Sequence, residues 1–272
     1  MISVINNVSS LVAENALSST QASLQSTLTE LSTGLRLNSG SQDPAAISIA
    51  DGLGANIAAL TQSSQNASNG VGLLQTADGA LSQVTNLLNQ AVTIATEAAN
   101  GGLTTDQATA ADTEFQSILS EINQIGTTTN FNGVAVFSAT AQTTFTSDGT
   151  ASGATTTSTT TGALSSTTLG LNTDVLTSTT GAAKALTDIT AAIATVAATR
   201  GSVGASVNQL SADTNVENTE VSNLTSAQNN VRNADIGTTV ANMTQYNVLE
   251  STGMAALQQS NQAQQAVLKL VQ

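Results

Sequence analysis

The sequence predicts a mainly α protein, in which long helices from both chain ends form an antiparallel helical bundle or coiled coil around a small β-hairpin element in the middle. In both terminal parts of the chain, apolar residues recur at alternating spacings of three and four, the pattern of helices that pack along a narrow seam. The pattern is lost between residues 138 and 180, where more than half of the residues are Ser or Thr.

The first helix carries Leu24, Leu28, Leu31 and Leu35 at spacings of four, three and four. Before them, Val8 and Leu11 belong to the same kind of seam after a shift of phase. Gly34 is a suitable residue just past a helix end. Asp43-Pro44 then has the composition of an N-cap followed by the first residue of a new helix.

The second helix is predicted from 44 to about 100, which is very long for a globular protein. Its seam contains polar interruptions at Ser64, Asp78 and Thr85. The apolar seam residues are Ile57, Leu60, Ala67, Val71, Leu74, Leu81, Leu88, Val92 and Ala95. Asn100-Gly101-Gly102 ends this helix, and Thr104 with Gln107 matches a capping box that starts a third helix.

The pattern changes at Gly126. Asn132-Gly133 is a strong turn signal, the residues 134–137 have strand propensity, and Asp148-Gly149 is a second turn signal. The Ser/Thr-rich segment 138–180 is expected to form hairpins or loops that bury little apolar surface. It is either a solvated loop or a target for O-linked sugars.

Helical spacing returns near residue 181. The seam of this fourth helix consists of Leu186, Ile189, Ile193, Val196, Val203, Val207, Leu210, Val221, Leu224 and Val231, with Arg200, Thr214, Glu217 and Gln228 in its polar positions. The last helix has an even thinner seam, interrupted by Asn247, Glu250, Asn261 and Gln264.

Neither terminal helix should be stable alone in water, because each seam is narrow. We therefore expect both chain ends to be largely disordered in the free subunit and to fold when they pack against other copies. The residues expected to form this self-assembly interface are Leu24, Leu28, Leu31, Val240, Met243, Met254, Leu257 and Leu268.

Composition argues against most chemistry. The chain has no Cys and no His, and its carboxylates are spread singly along helices, so we expect no enzymatic activity, metal site or cofactor. Five scattered basic residues in a chain of net charge −13 argue against binding to nucleic acid or to anionic membranes. The N-terminus lacks a basic region followed by an apolar run, so export without a cleaved signal peptide is expected.

Several long motifs, in order, resemble those of the bacterial flagellins, and the resemblance covers roughly residues 1–137 and 181–272. At the N-terminal end these are the runs 31–39, 66–71 and 75–81, followed by Asn130-Phe131-Asn132-Gly133. At the C-terminal end they are 231–235 and Asn261-Gln262 followed by Val267-Leu268.

The resemblance implies a structural subunit of the extracellular flagellar filament, with core helices at 1–43 and 235–272. It implies a surrounding helical domain from 44–137 and 181–234, with 138–180 as a variable segment. The implied partners are the subunit itself, an export chaperone, the filament cap and the hook–filament junction proteins. The alternatives are a flagellin-like hook–filament junction protein and a flagellin-like cell-surface protein that binds polysaccharide.

The sequence departs from the family at informative positions. In many flagellins the residues matching Gln90, Ile94 and Glu114 contact a mammalian receptor of the Toll-like family, and here only Glu114 keeps the usual type. Loss of an arginine at position 90 removes a multidentate donor, so weak or absent receptor activation is expected. Gln264 replaces a common proline, which should let the last helix continue.

Overall fold

The computed structural model describes residues 7–147, 149–150 and 153–271, and it describes no side chains for Ala154 or beyond Ala266. The chain forms five helices and four short strands in the described part. In order these are α1 (Val8–Thr33), α2 (Pro44–Ala99), α3 (Thr105–Thr128), β1 (Asn130–Phe131), β2 (Val134–Ala135), β3 (Gln142–Ser147), β4 (Ala154–Thr159), α4 (Thr179–Arg232) and α5 (Ile236–Val271). The mainly α architecture with a small β element is confirmed.

The predicted helix boundaries are confirmed where specific capping residues marked them. Gly34 adopts a left-handed conformation with φ 69°, and its N–H donates to the carbonyl of Glu30. At the start of α2, Asp43 Oδ1 accepts a hydrogen bond from the N–H of Ala46 at 3.0 Å. Thr104 and Gln107 form the reciprocal capping box at the start of α3.

The described residues divide into two compact units, and both boundaries fall inside long helices. One unit contains the chain up to Gly54 and from Leu224 onwards, and the other contains Ala55–Asn223. The beginning of α2, up to Gly54, and the end of α4, from Leu224, therefore belong to the same unit as α1 and α5. Within this terminal unit, Gln228 Nε2 donates to the carbonyl of Ala50 at 2.9 Å.

In the Ala55–Asn223 unit, α2, α3 and α4 enclose one hydrophobic core. Half of the predicted α2 seam is correct, since Leu60, Ala67, Leu74, Leu81, Leu88 and Ala95 are buried. At most of the other seam positions, the buried residue is the one immediately before the predicted residue. The buried positions are Ser63, Ala77, Val84, Ala91 and Ala98, whereas Val71 and Val92 are only half-buried.

The same shift occurs in α4, where Ala185 and Ala192 are buried and the predicted Leu186 and Ile193 are half-buried. At both of these α4 positions an alanine is the central residue, and the larger residue beside it packs at its edge. The inward stripe of a bundle helix is wider than two positions per heptad, and a spacing rule that favours large residues misses the small ones.

The middle of the chain forms two antiparallel hairpins. β1 pairs with β2 through a two-residue turn at Asn132 and Gly133, which have φ 50° and 79°. β3 pairs with β4 over six residues on each strand. Their connection contains Gly149, with φ 87°, and Asp148, which lies outside the described residues.

The expectation that 138–180 buries little apolar surface is wrong for its second half. Leu164, Leu171 and Leu176 are all buried in the core of the Ala55–Asn223 unit. Side chains of α3 fix this irregular segment through its backbone. Asn123 Oδ1 accepts from the N–H of Ser166 at 2.8 Å, and Asp112 Oδ1 accepts from the N–H of Leu176 at 2.7 Å.

Candidate assembly surface on the terminal helices

In the terminal unit, α1 packs antiparallel against α5 along a seam with few large apolar residues. Half-buried and buried residues recur at three and four on both helices. On α1 they are Ser10, Ala13, Leu17, Thr20, Leu24, Thr27 and Leu31; on α5 they are Thr239, Met243, Tyr246, Glu250, Gly253, Leu257, Ser260 and Gln264. Roughly half of these residues are polar, so this pairing gains only modest hydrophobic stabilisation.

Polar contacts set the register of the two helices. Asn7 Nδ2 donates to Gln264 Oε1 at 3.0 Å, and Gln21 Nε2 donates to Glu250 Oε1 at 3.1 Å. Between these contacts Gly253 faces Leu17, whose Cδ1 lies 3.4 Å from the position that a Cβ on the glycine would occupy. The small residue lets the helices approach each other closely.

Backbone hydrogen bonds join the residues that follow α1 to the end of α4 and the residues that follow it. The N–H of Arg36 donates to the carbonyl of Arg232 at 2.9 Å, and the N–H of Ala234 donates to the carbonyl of Gly34 at 3.0 Å. Asp235 then caps α5. The hydroxyl and backbone N–H of Thr238, together with the N–H of Gly237, hold the pKa of Asp235 below its ordinary value.

A second set of apolar residues on the two helices is exposed to solvent. We call it the assembly surface. It consists of Val8, Leu11, Val12 and Leu28 on α1, and of Ile236, Val240, Val248, Leu249 and Met254 on α5. Their side chains are between 40% and 63% exposed. Nine exposed large apolar side chains on one pair of helices indicate surfaces that other molecules cover.

The structure separates the predicted interface residues into two groups. Leu24, Leu31, Met243 and Leu257 lie half-buried in the seam between α1 and α5. Leu28, Val240 and Met254 are exposed and belong to the assembly surface. Leu268 falls in the last turns of α5, and its side chain lies outside the described residues.

Sequence spacing missed Val12, Val248 and Leu249, because they lie off the three-and-four pattern. It also placed Val8 and Leu11 on a seam, whereas Ser10 and Ala13 occupy the inward positions at that end of α1. No spacing signal marks this set, because at 3.6 residues per turn its members do not fall on one face of either helix.

The three positions that we expected to match receptor contacts lie in the Ala55–Asn223 unit. Gln90 and Glu114 are exposed, and Ile94 is half-buried against the core. Position 90, where the family resemblance led us to expect an arginine, is therefore accessible to solvent. The predicted continuation of the last helix through Gln264 is confirmed, since α5 extends to Val271.

Comparison with protein families gives two matches in chain order. The bacterial flagellin N-terminal helical region matches residues 4–142, and the bacterial flagellin C-terminal helical region matches residues 186–271. The chain belongs to the bacterial flagellin family. Members of this family are structural proteins, and the two matched regions contain the whole of α1, α2, α3 and α5.

Two flagellin sequences agree with this membership. Over 139 residues, or 51% of the chain, it is 40% identical to Flagellin 1 of Proteus mirabilis and 42% identical to the flagellin of Serratia marcescens. The match spans 38% and 40% of those two proteins. A crystal structure of Bacillus cereus flagellin is 28% identical, with a TM-score of 0.49 and coverage of 56% of this flagellin and 88% of that chain.

Two negative findings apply to the described residues. None of the described helices is long and apolar enough to cross a membrane. In the same part of the chain, no three His, Cys, Asp or Glu side chains come together in a way that could hold a metal ion.

Proposed function

We propose that this flagellin is a structural subunit that polymerises into the extracellular filament of the bacterial flagellum and so serves motility. The observation that supports this most directly is the assembly surface. The seam between α1 and α5 is half polar, while Val8, Leu11, Val12 and Leu28 remain exposed on the same helix. A pair of helices built in this way becomes stable when neighbouring subunits cover its outer faces.

Energetics favour this assembly. Fully burying one large aliphatic side chain contributes about 1.5–3 kcal/mol, and nine such residues are between 40% and 63% exposed here. Only 8% of the residues are charged, so neighbouring subunits desolvate few charges when they meet. We still expect the terminal helices to be largely disordered in the free subunit.

The proposal extends to the partners that family membership suggests. These are other copies of the chain, an export chaperone, the filament cap and the hook–filament junction proteins. We propose no enzymatic role, because the chain contains neither His nor Cys and its family is structural. Export without a cleaved signal peptide is part of the same proposal.

The test is a pair of substitutions at Leu28, whose side chain is 42% exposed. Leu28→Asp leaves the new carboxylate solvated in the free subunit. In the polymer it places an unpaired charge in a dry interface, which costs about 3–5 kcal/mol. Leu28→Met keeps the position apolar and serves as the matched control.

Full-length proteins would be mixed with a precipitating salt, which favours burial of apolar surface, and imaged by negative-stain electron microscopy. We expect filaments from the wild type and from Leu28→Met. Leu28→Asp should stay soluble, with wild-type helix content by circular dichroism. Filaments of Leu28→Asp at the wild-type protein concentration would refute the proposed interface.

A further inference from the structure

A glutamate lies inside the core of the Ala55–Asn223 unit. Glu217 follows Val203 and Leu210 on α4 at intervals of seven residues, and all three are buried. Glu217 is only 4% exposed. It therefore occupies a core position that apolar residues fill one and two heptads earlier, which calls for a reason other than packing.

Glu217 is the end of a chain of hydrogen bonds that joins three elements. The hydroxyl of Ser63 on α2 donates to Glu217 Oε1. The backbone N–H of Ser147, the last residue of β3, donates to Ser63 Oγ at 2.7 Å. One buried carboxyl group thus connects α4, α2 and the β3–β4 hairpin. Its second oxygen, Oε2, has no hydrogen-bond partner among the described residues.

The surroundings of this carboxyl group are strongly acidic on one side only. Asp213 and Glu220, four residues before it and three after it on α4, line a cavity of about 390 Å³ together with Glu217 and hydroxyl-bearing residues of the hairpin. Between Asp51 and Asp78, α2 has no titratable residue.

The strands of the hairpin also carry no titratable residue. Asp148, in their connection, lies outside the described residues. Burial raises the pKa of Glu217, and the hydrogen bond from the Ser63 hydroxyl opposes this. The negative charges of Asp213 and Glu220 raise the pKa further, whereas the backbone N–H of Ser147 lowers it.

We propose that Glu217 is a proton-controlled latch for the β3–β4 hairpin. When Glu217 is protonated, its side chain stays in the core. Its Oε1 accepts the hydrogen bond from the Ser63 hydroxyl, and Ser63 Oγ accepts the hydrogen bond from the N–H of Ser147. When the proton leaves to solvent, the Ser63 hydroxyl and the Ser147 N–H are the only donors near the buried charge among the described residues, its Oε2 has no partner there, and Asp213 and Glu220 repel it. The carboxylate then turns outward into the acidic cavity and becomes hydrated. Ser63 then loses the acceptor that orients its hydroxyl, and the Ser147 N–H loses its interaction with Glu217, so the end of the hairpin detaches from α2 and α4.

The direction of the pH dependence follows from proton linkage. The closed form has the raised pKa, so it binds the proton more tightly than the open form. The hairpin is most firmly held below the ordinary glutamate pKa of 4.5. Between that value and the raised pKa, opening increases about tenfold per pH unit for a single proton, and above the raised pKa it becomes constant.

The latch belongs to the single subunit and does not depend on filament formation. It is tested on the full-length protein, kept monomeric at low concentration, by amide hydrogen exchange from pH 4 to 8. Protection of peptides that contain Ser147 is normalised to the exchange of an unstructured peptide at each pH. We expect protection in the wild type to fall with rising pH and then to level off above the raised pKa.

Three variants separate the latch from a general effect of charge. Glu217→Gln keeps a neutral acceptor in the same shape, and its protection should be high and independent of pH. Glu220→Gln makes the same chemical change one turn away and should keep the transition, shifted to lower pH. Ser63→Ala removes the connection, so protection at Ser147 should be low at every pH. A flat wild-type profile, or the wild-type fall persisting in Glu217→Gln, would overturn the proposal.

Discussion

Gly126 in α3 offers a sharp test of the packing between this helix and the irregular segment that follows the hairpins. A Cβ at this position would lie 1.9 Å from the carbonyl oxygen of Leu164, whereas ordinary contact begins at 3.4 Å. The segment would therefore have to retreat by about 1.5 Å. It cannot do so freely, because Ser166 is bonded to Asn123 through both its backbone and its side chain, and Leu171 is buried.

We expect Gly126→Ala to destabilise this unit by about 3 kcal/mol, the upper part of the usual range for overpacking. This corresponds to a melting temperature roughly 6–12 °C lower for a unit of this size. Gly79 is the matched control, since it lies inside helix α2 and a Cβ added there would meet no atom within 4 Å. Gly79→Ala should therefore stabilise by about 0.5–1 kcal/mol.

Thermal unfolding followed by circular dichroism measures both variants under identical conditions. The two alanine substitutions should move the melting temperature in opposite directions. If Gly126→Ala melts at or above the wild-type temperature, the close approach of the Leu164 carbonyl to α3 is not a feature of the folded protein.

Three further predictions concern the ends and faces of the helices. Thr104→Ala, which removes the capping box with Gln107, should destabilise by about 1 kcal/mol, measured by urea unfolding. Hydrogen bonding and charge from Arg200 hold the pKa of Asp78 below 3.8. The stability that this partly exposed pair adds, about 0.5 kcal/mol, is present above that pH and lost as the pH falls through the lowered value. Asp78→Asn should show no such loss in acid titrations. Purified protein should activate reporter cells that carry the flagellin receptor weakly, and Gln90→Arg should increase the signal; strong signalling by the wild type would contradict this.

The residues that sequence analysis located best are those whose role is local. Gly34, Asp43 and Thr104 act through backbone groups three or four residues away, so their neighbours in the sequence suffice to identify them. Asn132 and Gly133 likewise determine their turn alone.

Long-range packing was less predictable. Spacing put Val92 in the α2 seam, but Ala91 is the buried residue, because which residue is central depends on the shape of the helices on the other side. Leu164 and Leu171 lie among Ser and Thr, and nothing near them in the sequence indicates burial. The bond between Ser63 and Glu217 joins residues 154 positions apart.

The contact between Asn7 and Gln264 joins residues that are 257 positions apart. Closing so long a loop carries an entropic penalty that grows with its length, and contacts of this separation form late. In a chain that is released one end first, the first terminal helix cannot pair with the other until the rest of the chain has also been released. For a chain that is exported one end first, we therefore expect the first helix to stay unpaired until the helix at the opposite end has also been delivered.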